Sequence, residues 1–97
     1  MTDAKPPTLN APLVIEKFWR TRWRQESVHV ELSFFEERYL INVRIYRTGI
    51  DGVDRATTKG ITLSVAKLGE LARALVKAEA TARSLNLIPP TNDGGGE

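Results

Sequence analysis

The sequence contains no cysteine and a single histidine, His29. The first absence excludes disulfide staples, thiolate catalysis and cysteine-ligated zinc, and is compatible with a reducing compartment. The second leaves no imidazole pair for a metal, and His29 has no nucleophile or paired carboxylate at an interpretable spacing. Glu36 and Glu37 are neighbours in sequence only, because adjacent strand residues point to opposite faces and a turn leaves both in water. No glycine-rich phosphate loop is present, since Gly94–Gly96 precede only the end of the sequence. No apolar run has the length of a signal-peptide core or a membrane span. These absences argue against an enzyme, a cofactor, a metal and a membrane partner. They point to a soluble cytoplasmic protein.

With 97 residues, 41% of them apolar, the chain can make one domain with one modest core. A single sheet and one helix leave much apolar surface uncovered at this size, so self-association is expected. The formal net charge is only +2, which shifts attention to where the basic residues lie. Lys17, Arg20, Arg22 and Arg24 fall within eight residues that hold no acidic side chain and include Phe18, Trp19 and Trp23. Arginine, which supplies nine of the 14 basic side chains, both forks onto phosphate oxygens and stacks on bases. That composition leans toward nucleic acid.

Residues 1–12, with three prolines, read as a disordered arm. Residues 89–97 read as a disordered tail, opened by Pro89-Pro90 and closed by Asp93-Gly-Gly-Gly-Glu97. Residues 13–88 must do all the folding. From Leu13 to Arg24 the period is two, with Leu13, Ile15, Trp19 and Trp23 on one parity and Arg20, Arg22 and Arg24 on the other. Both tryptophans are therefore expected in the core, with Trp19 the first choice for a base-stacking role at its rim, Trp23 the second and Phe18, on the basic parity, the third. Gln25-Glu26 reads as a connection. Val28, Val30, Leu32 and Phe34 then alternate with Ser27, His29, Glu31 and Ser33, and His29 reads as an exposed sheet residue. Phe35-Glu36-Glu37 turn the hairpin into a third strand, with Tyr39, Ile41, Val43 and Ile45 toward a core and Arg38, Asn42, Arg44 and Tyr46 on a wet, basic face. A loop over Thr48–Ala56 contains Gly49 and Asp51-Gly52. Thr57–Leu63 make a fourth strand, and Ser64 stands where a helix N-cap belongs.

Val65–Leu85 switch to helical spacing. Leu68, Leu71, Leu75, Ala78, Ala82 and Leu85 recur at steps of three and four, a narrow stripe suited to a twofold helix contact. Val65, Ala72 and Val76 widen it, so the stripe can cover its own sheet, face a second copy, or do both. The fold expected is α+β: a curved four-stranded antiparallel sheet followed by one C-terminal helix, dimeric through Leu68, Leu71, Leu75, Ala78 and Ala82.

In this order, Leu40-Ile41-Asn42-Val43-Arg44-Ile45-Tyr46, then Asp51-Gly52, then Lys59-Gly60-Ile61-Thr62-Leu63 and the helix, the chain resembles the positive cofactor four family of transcriptional coactivators over about Val28–Ala78. The resemblance implies a homodimer whose sheets form channels for single-stranded DNA. It implies a base-stacking role for Phe35, basic strand positions at Arg38 and Arg44, and a lysine opening the fourth strand at Lys59. Departures are also present. Arg47 stands where the family commonly has tryptophan, Thr58 replaces a basic residue, and Glu36-Glu37 occupy a turn that is usually basic and contains glycine.

The chemistry of single-strand binding points the same way without the family. Cations follow the phosphates while aromatic faces stack bases, at about 1–3 kcal/mol per stack. The candidate nucleic-acid contacts are Trp19, Arg20, Arg22, Arg24, Phe35, Arg38, Arg44, Tyr46, Arg47 and Lys59. The competing reading is that Arg38 and Arg44 form ordinary cross-strand pairs with Glu31, Glu36 or Glu37, and that the chain is a protein-interaction module. Single-stranded DNA is the expected partner, with RNA second and the transcription machinery as a protein partner. The sequence has no long serine- and lysine-rich regulatory region of the kind some eukaryotic relatives in the resembled family carry, which suggests a bacterial source. A general single-strand grip is also compatible with a nucleoid location.

Overall fold

The computed structural model describes residues 8–88. Of the expected arm, residues 1–7 lie outside the described residues, as does the whole of the expected tail, 89–97. Thr8–Pro12 enter the sheet without helix or strand. Four strands follow, β1 (Leu13–Thr21), β2 (Glu26–Phe35), β3 (Arg38–Thr48) and β4 (Asp54–Ser64), then a 3-10 turn (Val65–Lys67) and α1 (Leu68–Ser84). The strands form one antiparallel sheet in chain order. This is the α+β meander and terminal helix that the alternation in the sequence implies.

The element ends depart from the sequence reading in three places. β1 stops at Thr21, not Arg24, because Thr21 already pairs with Glu26. The chain reverses through Arg22–Gln25, with the Gln25 N–H donating to the Arg22 carbonyl at 2.9 Å and Gln25 at φ 57°. Phe35 is the last residue of β2, paired with Arg38, so the reversal is made by Glu36 (φ 50°) and Glu37 (φ 64°) alone. β4 begins at Asp54, not Thr57, since Asp54 pairs with Thr48 and accepts the Thr48 hydroxyl at 2.5 Å. The loop is correspondingly short, closed by Gly49 and Val53. At Gly60 (φ 143°) a side chain would run into the Val43 carbonyl oxygen and lie 2.7 Å from Arg44 Cα, so only glycine fits opposite Arg44.

Cross-strand register sorts the side chains into two faces. Val28, Val30, Leu32 and Phe34 lie opposite Ile45, Val43, Ile41 and Tyr39, with Ile61 and Leu63 beyond. On the other face, Ser27, His29, Glu31, Ser33 and Phe35 lie opposite Tyr46, Arg44, Asn42, Leu40 and Arg38, with Thr62 and Ser64 beyond. Burial inverts the expectation of a dry face and a wet one. Ile41 is the sole buried hydrophobic residue among those described, at 3% exposure, whereas Ser27, His29, Glu31 and Asn42 are all buried.

The helix explains the uncovered apolar face. Ser64 Oγ accepts the Ala66 N–H at 3.2 Å and so caps the 3-10 turn. At the other end Asn86 (φ 61°) takes the left-handed conformation, with Leu87 N–H donating to Ala82 and Asn86 N–H to Arg83. Between these stops, no residue of α1 is buried. Leu75, Val76, Leu85 and Leu87 are 59%, 65%, 62% and 69% exposed. The helix contacts the turn that precedes it and does not lie across the strands. The reading in which the stripe covers its own sheet is therefore overturned.

Candidate nucleic-acid interface

The polar face is organised by two hydrogen-bonded groups. In the first, His29 stacks on Tyr46 with ring centroids 3.7 Å apart and planes 9° from parallel. The Tyr46 hydroxyl donates to Glu31 at 2.7 Å, and His29 Nε2 lies 3.1 Å from Ser27 Oγ and 3.6 Å from Asp54 Oδ2. Burial and the hydrogen bond to Glu31 push the Tyr46 phenol up to about 12. His29, expected to be exposed, is 5% exposed instead. Strand parity gave its face, but a neighbouring aromatic ring covers it. Asp54 is held below the usual carboxylate range, mainly by the Thr48 hydroxyl and then by Lys17, whose Nζ lies 3.5 Å away.

The second group runs across three strands. Asn42 Nδ2 donates to Ser33 Oγ at 2.9 Å, Thr62 Oγ1 donates to Asn42 Oδ1 at 2.7 Å, and Arg44 Nη2 donates to Thr62 Oγ1 at 3.4 Å. Residues 9–12 run beside this ladder and close one side of a cleft whose other walls include Phe35 and Leu40. Ser33, Asn42 and Thr62 were not singled out in the sequence. Their signal is small polar residues at alternating positions, which becomes a group only once the register is known.

The candidate cations divide between environments. Arg44 meets only a hydroxyl, and Arg38, at the hairpin, has no carboxylate within ion-pair distance among the described residues. The exposed Phe35 lies directly opposite Arg38. The cross-strand pairing of these arginines with Glu31, Glu36 or Glu37, on which the competing reading depends, is absent among the described residues. Arg20 and Arg47 instead converge on Glu26, at 2.5 and 3.0 Å. Burial pushes the Glu26 carboxyl up, but the hydrogen bonds and charges of Arg47 and Arg20 outweigh it and hold the carboxyl below its ordinary value. Glu26 pairs with Arg47 on the parity opposite Arg44 and Tyr46, so these two arginines do not extend the basic face. Arg22 and Arg24 sit in the β1–β2 turn, not on a strand. Trp23, expected in the core, is 81% exposed there. Trp19, also expected in the core, is 42% exposed on β1, and Phe18 beside it 55%. Lys59 is exposed on β4. Tyr46 offers one ring face at most, the other being taken by His29.

No protein-family model matches the sequence, and a search of curated proteins finds no match. Among solved structures, the crystal structure of a PC4 homolog from Burkholderia pseudomallei has the same fold, with a TM-score of 0.64 at 16% identity over 75% of this chain and 96% of that one. PC4 is positive cofactor four, so the fold implied by the Leu40–Tyr46 and Lys59–Leu63 segments is the one the chain adopts. Among the described residues, no helix is long and apolar enough to cross a membrane.

Proposed function

We propose that the chain is a non-enzymatic binder of single-stranded DNA that grips the strand on the polar face of its sheet, as a homodimer joined through α1. The observation that carries this is the pair Arg38 and Arg44. Both stand on one face with no carboxylate partner among the described residues, beside the exposed ring of Phe35. Unpaired cations along a strand are available to phosphates, and an exposed ring beside them is a stacking platform. Arg24 and Lys59 add exposed positive charge, whereas Arg20 and Arg47 are already half-neutralised by Glu26. The shared fold with a PC4 homolog supports the same reading, and a role as a transcription cofactor or nucleic-acid maintenance protein is part of the proposal. The dimer is supported by the apolar surface that one chain leaves uncovered on α1 and on the Val30, Val43, Ile61 face of the sheet.

The test compares a single-stranded oligonucleotide with a duplex of the same sequence. The single strand should bind more tightly, because stacking needs unpaired bases. Equal or tighter duplex binding contradicts the stacking mechanism. Absence of binding to either, together with capture of a protein partner, would favour an interaction module.

A further inference from the structure

We propose that the cleft beside the Ser33–Asn42–Thr62 ladder is a nucleobase subsite that takes one thymine of the bound strand, so that each chain reads one base in an otherwise sequence-tolerant grip. The inference rests on the single-strand reading above. The cleft is about 370 Å3, near the lower end of ligand pockets, roughly 300–1,000 Å3, which suits one base with its sugar. Its walls include Leu9, Phe35 and Leu40, apolar surfaces against which a flat ring can pack.

The polar side selects the edge. An asparagine amide carries two N–H donors and a carbonyl oxygen with two lone pairs. One N–H of Asn42 is used by Ser33, and one lone pair is used by the Thr62 hydroxyl. Arg44 donates to the same Thr62 oxygen, so the hydroxyl hydrogen is directed at Asn42 and the amide is held in one orientation from both ends. One N–H and one lone pair remain on Asn42. The Ser33 O–H and the further N–H groups of Arg44 are donors beside it. The set therefore offers a single amide acceptor flanked by donors. Thymine presents the complement, an N3–H between two carbonyls. The amide edge by itself also meets an adenine or cytosine amino group and ring nitrogen. The selection therefore comes from the Arg44 N–H beside it, which finds the second thymine carbonyl but faces the remaining amino hydrogen of adenine or cytosine.

A well-placed bidentate pair discriminates bases by roughly fivefold to 150-fold. The experiment measures binding of the unmodified protein to equal-length oligonucleotides of thymine, cytosine or adenine, and to a thymine oligonucleotide methylated at N3. Methylation removes the one donor but leaves the carbonyls, the ring face and the phosphates. The thymine strand should bind at least about fivefold tighter than the others, with N3-methylation abolishing the advantage. Asn42→Ala should bring thymine and cytosine strands to equal affinity. Thymine and N3-methylthymine strands binding equally well would overturn the subsite while leaving single-strand binding intact. Binding of no oligonucleotide at all overturns the reading on which it rests. Because the methylated strand is tested on the unmodified protein, the result stands even if Asn42→Ala does not fold.

Discussion

Leu75→Ala separates a helix that waits for a second copy from one that is merely exposed. Leu75 is 59% exposed and lies mid-helix, and none of its neighbours on α1 is buried. In a lone chain the substitution trades one good helix former for a better one at an open position, and stability should change by no more than about 0.5 kcal/mol. In a twofold dimer the remaining exposed part of the side chain is removed from water. Full burial of leucine contributes about 1.5–3 kcal/mol, and 59% of that is about 1–2 kcal/mol per chain. The site occurs twice in a dimer, so the loss is about 2–4 kcal/mol, or a dissociation constant weakened between about 30-fold and 700-fold. Sedimentation equilibrium over a range of concentrations measures it directly. A well-folded monomer at micromolar concentration for the unmodified protein refutes the dimer outright. A dimer whose dissociation is indifferent to Leu75→Ala refutes the placement of α1 in its interface.

Two further outcomes follow from backbone and charge. Glu36 and Glu37 both hold positive φ, which costs an L-residue other than glycine about 1–2 kcal/mol, so Glu36→Asn with Glu37→Gly should raise the thermal midpoint. Loss of two carboxylates beside Phe35 and Arg38 should also tighten oligonucleotide binding, and an unchanged midpoint would remove the strain argument. The Glu26 and Asp54 carboxyls have folded values below their ordinary 4.5 and 3.8. The unfolded chain therefore takes up protons first, and stability present above about pH 4.5 should be lost as pH falls further. Glu26→Gln should flatten that decline in acid unfolding followed by circular dichroism, and an unaltered slope would show the Arg20–Glu26–Arg47 cluster to be idle. At the other extreme, Tyr46 is raised from 10.0 to about 12, so its contribution should fade as pH climbs above about 10.

β2 and β3 were legible because their β-branched residues alternate cleanly, and the two-residue turn between them fixes the register. The end of β1 was not legible. Trp19, Arg20, Arg22 and Trp23 keep a period of two into the reversal, and nothing in Arg22-Trp23-Arg24-Gln25 announces a turn that is made by a glutamine at positive φ. The start of β4 was placed late because Asp54 reads as a loop residue, when its carboxylate in fact holds the Thr48 hydroxyl across the hairpin. His29 shows the limit of parity: alternation assigns a face, but whether a neighbour's ring lies over it depends on three strands at once. The helical stripe was legible as apolar spacing, yet only the packing shows that it leaves its own sheet. The approach of residues 9–12 to the cleft had no sequence signal, since the segment has no periodicity.

The claim that the Arg38 and Arg44 face grips phosphates is tested most directly by the salt dependence of single-strand binding. The slope of log affinity against log salt should be about 0.7 shallower for each arginine removed, roughly 1.4 for Arg38→Ala with Arg44→Ala. The thermal midpoint should be nearly unchanged, because among the described residues neither side chain holds a carboxylate. An unaltered slope and affinity in a folded double variant would contradict the account and move the nucleic acid off this face.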